Sequence, residues 1–332
     1  MRIAGTEVTR GAPRARFAAI DVARGVALVA MIVYHFAWDL WFLEFVAHDI
    51  PYDPVWRTFA RTIAASFLIL VGIGLVLAHE AGIAWGAFAR RVLRVALAAG
   101  LVSAATFAIF PDAFVYFGIL HMIALGSVLA LPFLAAPTWL TALAALAILA
   151  APAFFASEAF DTRALAWIGF AADPPPSTDF EPVFPWLAPV LAGIVIARLV
   201  LTSRWRAAIA SWPADAAPAR ALAWMGRRSL AIYLVHQPIL LGILYPLALV
   251  TEPGAGRMVS ECRVQCVAEG STERFCALYC DCAIDTLAAE RLIDVARRGP
   301  ADADEAARFR AVIDACAARA LEAAGDPVTT DP

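Results

Sequence analysis

Seven apolar blocks, near residues 18–43, 59–79, 92–110, 113–134, 138–156, 183–201 and 229–250, dominate the sequence. An α-helix rises 1.5 Å per residue, so about 20 apolar residues cross the roughly 30 Å hydrocarbon core of a bilayer. The blocks therefore predict an all-α, polytopic transmembrane bundle of about seven helices. Composition agrees: 62% of the 332 residues are hydrophobic and only 17% charged, where a soluble domain has roughly 45–50% apolar residues. Several blocks are rich in Ala, Gly and Ser, which let helices approach closely. The first fifteen residues are polar and Arg-rich, and the first block is too long for a signal-peptide core, so no cleavable signal is predicted. A net charge of −3 argues against a nucleic-acid partner. The lipid bilayer is the partner the composition demands, and no oligomeric state is specified.

Arginine placement orients the bundle. Arg2, Arg10, Arg14 and Arg16 precede the first block, and Arg90, Arg91 and Arg94 stand in the loop before the third. Arg198, Arg204, Arg206, Arg220, Arg227 and Arg228 stand before the seventh. With seven spans these groups share one side, which is predicted to be the cytoplasm of a bacterial inner membrane, with the C-terminus outside.

The first block carries Asp21, Arg24, His35 and Asp39. Such residues at the centre of a membrane helix cost roughly 2.5–3.5 kcal/mol each. Asp21 and Asp39 are eighteen residues apart, about 27 Å of rise, so they mark opposite boundaries of the span. At about 100° per residue the four fall in a stripe about 60° wide, which cannot face lipid and is expected to face the bundle interior, a cavity or partners. His35 and Asp39 lie at i and i+4. A carboxylate there can fix the imidazole tautomer and leave the other nitrogen as a general base. A structural pair closing the helix is the plainer alternative. Asp21 and Arg24 read either as an ion pair ending the helix or as a binding pair, with Arg24 and Arg90, Arg91 and Arg94 receiving cofactor phosphates.

Two later histidines join them. His121 lies nine residues past Asp112, roughly 13 Å into the fourth block, and suits either an interhelical hydrogen bond or a site. His236 and Gln237 precede Pro238, which removes a backbone donor and frees a carbonyl one turn back. Broken helices at membrane depth line cavities, so His35, His121 and His236 are expected to meet one polar cavity.

Beyond Pro253 the chain turns charged and Ala-rich, and all six cysteines lie there. Residues 1–252 and 257–325 are therefore expected to form separate domains. Cys262 and Cys266, then Cys276 and Cys280, are i, i+4 pairs separated by nine residues. Two short antiparallel helices stapled as Cys262–Cys280 and Cys266–Cys276 fit this spacing, with Cys282–Cys316 third among fifteen possible pairings. A metal site is the alternative, although no histidine follows His236 and the spacing is not a usual zinc pattern. Disulfides require an oxidising compartment, in agreement with an outside C-terminus.

The run IDVARGVALVAMIVYH resembles the opening of the heparan-alpha-glucosaminide N-acetyltransferase-like membrane family, whose Asp-x-x-Arg-Gly is matched by Asp21, Arg24 and Gly25. His35 stands where the eukaryotic enzymes have asparagine, and the place of their catalytic histidine offers Val46 and, two residues on, His48. Ser66–Leu75 resembles the family's second helix, and Gly118–Leu125 its Gly-x-Leu-Gln-Arg-Leu-Gly segment, with His121 for Gln and Met122 for Arg. Gly226–Leu240 resembles the last helices of membrane acyltransferases. The resemblance covers roughly residues 14–250 and implies acetyl transfer from cytoplasmic acetyl-CoA, without a metal, to an amine or hydroxyl of a small molecule or glycan. A transporter or flippase with a charged substrate path, and a non-catalytic partner presenting the cysteine-rich segment, are the rival readings.

Overall fold

A computed structural model describes residues 17–46, 48–251 and 254–324. Arg2, Arg10, Arg14 and Arg16 lie outside the described residues. The elements are α1 (Ala18–Phe42), α2 (Pro54–His79), α3 (Trp85–Ile109), α4 (Ile119–Leu129), α5 (Thr138–Ala150), α6 (Val183–Leu201), α7 (Ala217–Arg227), α8 (Ser229–Thr251), α9 (Gly254–Ala268), α10 (Glu273–Ala289), α11 (Ile293–Arg298) and α12 (Ala303–Ala324), with shorter helical turns between some of them. The chain divides into two compact units. Among the described residues, one holds those from 17 to His35 together with Asp53–Pro238, and the other holds those between Phe36 and Tyr52 and those from Ile239 to Ala324.

All seven apolar blocks contain a helix, but the helices differ in length. α1, α2, α3, α6 and α8 are long and apolar enough to cross a membrane, whereas α4 and α5 have 11 and 13 residues. The short pair rises only about 16 and 20 Å. The fourth block loses its first turns because residues 113–117 are not helical and bond to a distant segment: Thr178 N–H donates to Ala113 O and Glu181 N–H to Phe117 O. Helix α4 begins only after Gly118, which corrects the expected depth of His121 to the first turn. The third block begins earlier than hydropathy indicated, so Arg90, Arg91 and Arg94 lie on α3 and not in the loop before it. α2 starts at Pro54, where the Asp53 carboxylate accepts from Val55 N–H and Trp56 N–H at 2.8 and 3.0 Å.

In the first unit α6 is the central helix and packs on α2, α5 and α4. The α2–α6 crossing runs through Gly72 and Gly193. A Cβ on Gly72 would collide with Val190 O, and one on Gly193 with Ile69 O. Around that crossing Leu68, Leu75, Met122, Val190, Leu191 and Ile194 are fully buried. α1 meets α7 in the same way: a Cβ on Gly25 would strike the Leu222 carbonyl, and one on Gly226 the Asp21 carbonyl. The turn after α4 leaves carbonyls with no helical partner. Arg198 satisfies three of them, donating to Ala136 O, Phe133 O and Leu134 O at 2.7–2.8 Å.

In the second unit α9 and α10 pack antiparallel across a turn in which Gly270 takes φ +94°, and α12 lies on α10. Three disulfides join them: Cys262–Cys280, Cys266–Cys276 and Cys282–Cys316. These are the pairings favoured by the cysteine spacing. A small apolar cluster of Leu287, Leu292, Val295 and Val312 completes this unit.

Candidate active site

The first unit contains a cavity of about 380 Å³ whose charged lining is Asp21 and Arg24 from α1, Arg91 and Arg94 from α3, and Arg227 from α7. Four arginines face a single carboxylate. Asp21 is buried and pairs with Arg24 at 3.5 Å. Gly74 lies close against two of the guanidiniums: a Cβ there would lie 3.1 Å from Arg24 Nη2 and 3.8 Å from Arg91 Nη2. Two like charges over one glycine repel each other, and an anion placed between them would relieve that repulsion. Arg90 and Arg228 do not line it; Arg90 is exposed, and Arg228 lies over the Trp224 ring at 4.6 Å. The remaining wall is mostly apolar, with Leu70, Val71, Ile119, Leu120 and Ile123, and Ser229 and Tyr233 of α8 border it.

Tyr233 also leads to the histidines. Its ring lies 5.6 Å from that of His236, and His236 lies 4.9 Å from His35 in an edge contact. Two of the three expected histidines therefore meet. His121 is committed elsewhere. Its Nδ1 accepts from Gly118 N–H at 3.2 Å, and its Nε2 lies 3.3 Å from Ser103 Oγ, which donates onward to Val115 O at 2.6 Å. Gln237 follows His236 on α8 and is half-buried. Asp39, one turn beyond His35 on α1, is fully buried within the second unit, and His48 is exposed on the loop after α1.

Sequence reasoning missed two acids. Asp179 and Glu181 flank Phe180 in the segment paired with 113–117, and both are half-buried. Asp179 Oδ2 accepts from Ile119 N–H at 2.9 Å, at the N-terminus of α4, where a carboxylate is favoured. Gly118 leaves room for it, since a Cβ there would collide with the Asp179 carboxylate. Burial pushes the Asp179 carboxyl up to about 6, opposed by that hydrogen bond. Glu181 is held well above the ordinary carboxylate range by burial and by the Asp179 charge, with Arg61 acting the other way. Its Oε2 is shielded from solvent and has no hydrogen-bond partner among the described residues. The only signal in sequence was two acids bracketing an aromatic just before an apolar helix.

Among the described residues no group of three or more His, Cys, Asp or Glu could hold a metal ion. A family model described as heparan-alpha-glucosaminide N-acetyltransferase, catalytic, matches residues 16–238, a span that contains the arginine cavity and the His35–His236 contact. No match was found among curated proteins or among solved structures. With two thirds of its length under that model and four of the five long apolar helices wholly inside the match, the chain belongs to the heparan-alpha-glucosaminide N-acetyltransferase catalytic family, a family of membrane acetyltransferases.

Proposed function

We propose that the protein is an inner-membrane acyltransferase that takes acetyl from cytoplasmic acetyl-CoA and delivers it to an amine or hydroxyl of a sugar or glycan. The observation that carries this reading is the arginine cavity inside the matched region. Arg24, Arg91, Arg94 and Arg227 would hold the donor's phosphates, because guanidinium forks suit phosphate oxygens. Asp21 would keep Arg24 oriented through their ion pair. The apolar wall of Leu70, Val71, Ile119 and Ile123 suits an uncharged acyl arm running toward Tyr233.

The acceptor nitrogen or oxygen attacks the thioester carbonyl, a base takes its proton, the C–S bond breaks and the sulfur leaves as a thiol once protonated. An imidazole of the His35–His236 pair is the base. Asp39 follows His35 by four residues on α1, a spacing at which a carboxylate can fix an imidazole tautomer. His121 and Gln237 would hold the surrounding backbone and substrate. The protein's own residues supply all of this chemistry, with no metal.

The proposed orientation puts the N-terminus in the cytoplasm and the C-terminus outside. Its support is the arginine distribution, and the short helices do not disturb it. Whether α4 and α5 cross as two spans or turn back as a pair, the parity after them is unchanged. Cys262–Cys280, Cys266–Cys276 and Cys282–Cys316 are in keeping with an oxidising exterior.

The reading is tested by incubating the purified protein with acetyl-labelled acetyl-CoA and an amine- or hydroxyl-bearing sugar. Label is expected on the sugar, with free CoA released in equal amount. Intact acetyl-CoA after prolonged incubation with a broad set of acceptors would remove it.

A further inference from the structure

The two facing imidazoles differ in what their nitrogens do. His236 is only 7% exposed, and its Nδ1 lies 2.6 Å from the Tyr233 carbonyl oxygen. A carbonyl has no proton to give, so Nδ1 carries the hydrogen and donates it. The lone pair therefore sits on Nε2, which is shielded from solvent and has no hydrogen-bond partner among the described residues. Leaving a buried acceptor unmatched costs about 1–3 kcal/mol, so such an atom calls for an explanation beyond packing. The same accounting uses up His121, whose Nδ1 accepts from Gly118 and whose Nε2 must then donate to Ser103. His35 has ring contacts with Tyr34 and His236, and among the described residues no hydrogen bond fixes its tautomer.

We infer that His236, through Nε2, is the catalytic base of the acetyl transfer, in place of His35; the inference rests on the acetyltransferase reading above. Tyr233 connects the base to the donor, because it borders the arginine cavity while its carbonyl fixes the His236 tautomer. The acceptor's N–H or O–H proton passes to Nε2 as the new N–C or O–C bond forms. The C–S bond then breaks, its electron pair leaves with sulfur, and the imidazolium returns the proton to give the free thiol and neutral His236. No further reactant is needed. During the step the Tyr233 carbonyl accepts from the imidazolium Nδ1–H and stabilises the charge. His35 is left as a positioning residue beside the base.

The test uses the purified full chain and two variants. His236→Asn keeps a side-chain donor where Nδ1 was and removes the base. Its kcat is expected to fall on the order of 10²–10⁴-fold, with KM for acetyl-CoA unchanged within about twofold and activity partly restored by added imidazole. His35→Asn is expected to lose less than about tenfold, since it removes no base. A fully active His236→Asn, or one whose loss appears in KM and resists imidazole, overturns the assignment. If His236→Asn fails to insert or to bind acetyl-CoA, His236→Gln takes its place, with the same kcat loss expected and full activity again fatal. Failure of the unsubstituted protein to transfer acetyl overturns the acetyltransferase reading as well. The two failures are therefore told apart by the unsubstituted rate.

Discussion

The two compact units are both helical, yet they hold their helices together by different means. In the first, apolar helices approach through glycine, at Gly72–Gly193 and at Gly25–Gly226. In the second, the helices are rich in alanine and charge, the main apolar cluster has four buried residues, and three disulfides link the segments. A helix in lipid gains nothing by hiding apolar side chains from other apolar groups, so close fit and satisfied polar atoms must hold it. A small helical module with few apolar residues lacks core to spare, and covalent links compensate by restricting its unfolded chain. The contrast also locates chemistry. The first unit holds the arginine cavity, the facing histidines and two acids with raised pKa values.

Removing disulfides breaks the comparison most sharply. Loop-closure entropy assigns about 4 kcal/mol to Cys282–Cys316, separated by 34 residues, and about 3 kcal/mol to Cys266–Cys276, separated by 10. Because Cys266–Cys276 is nested inside Cys262–Cys280, its loss alone is expected to cost less than that. Calorimetry of the Cys282→Ser/Cys316→Ser and Cys266→Ser/Cys276→Ser proteins checks the order. A larger loss in the second pair would mean that packing, and not chain restriction, sets the stability of this unit.

A smaller effect, confined to the first unit, is a dependence on pH. Asp179 has a folded pKa of about 6, above its ordinary value of 3.8, so the folded state holds the extra proton between these values. Stability is therefore greatest below the window and falls as pH rises through it, with the penalty complete above about 6; Glu181 acts in the same direction. Asp179→Asn keeps an acceptor for Ile119 N–H and should flatten part of that slope. Melting of the detergent-solubilised protein from about pH 4 to about pH 7 measures it. A slope of opposite sign, or one unaltered by the substitution, would show that the carboxyl is well solvated.

The parts of this fold legible in sequence are those with a local period. The i, i+4 cysteines share a helix face, so their partners could be matched from spacing alone. Apolar blocks long enough to span became helices, and the stripe from Asp21 to His35 turned inward as its charge required. What was not legible depends on distant partners. Residues 113–117 are as apolar as a helix, but hydrogen bonds from Thr178 and Glu181 hold them out of one, and His121 falls in the first turn of α4. Asp179 and Glu181 read as loop acids because only that pairing turns them inward. Hydropathy also misplaced the start of α3, since arginine is a good helix former and an α-helix can begin well before its apolar stretch. Arg227 and Arg228 are adjacent, and sequence alone did not tell which of them enters the cavity.

If the arginine cavity receives the acetyl donor, acetyl-CoA binds to the purified full chain at equilibrium through those arginines. Saturable binding is predicted, displaced by free CoA, and weakened about tenfold to a hundredfold in Arg91→Ala, or roughly 1.4–2.8 kcal/mol. Arg228→Ala, whose guanidinium lies over Trp224, should bind as the unsubstituted protein does. Absence of saturable binding, or equal affinity in Arg91→Ala and the unsubstituted protein, would contradict the claim.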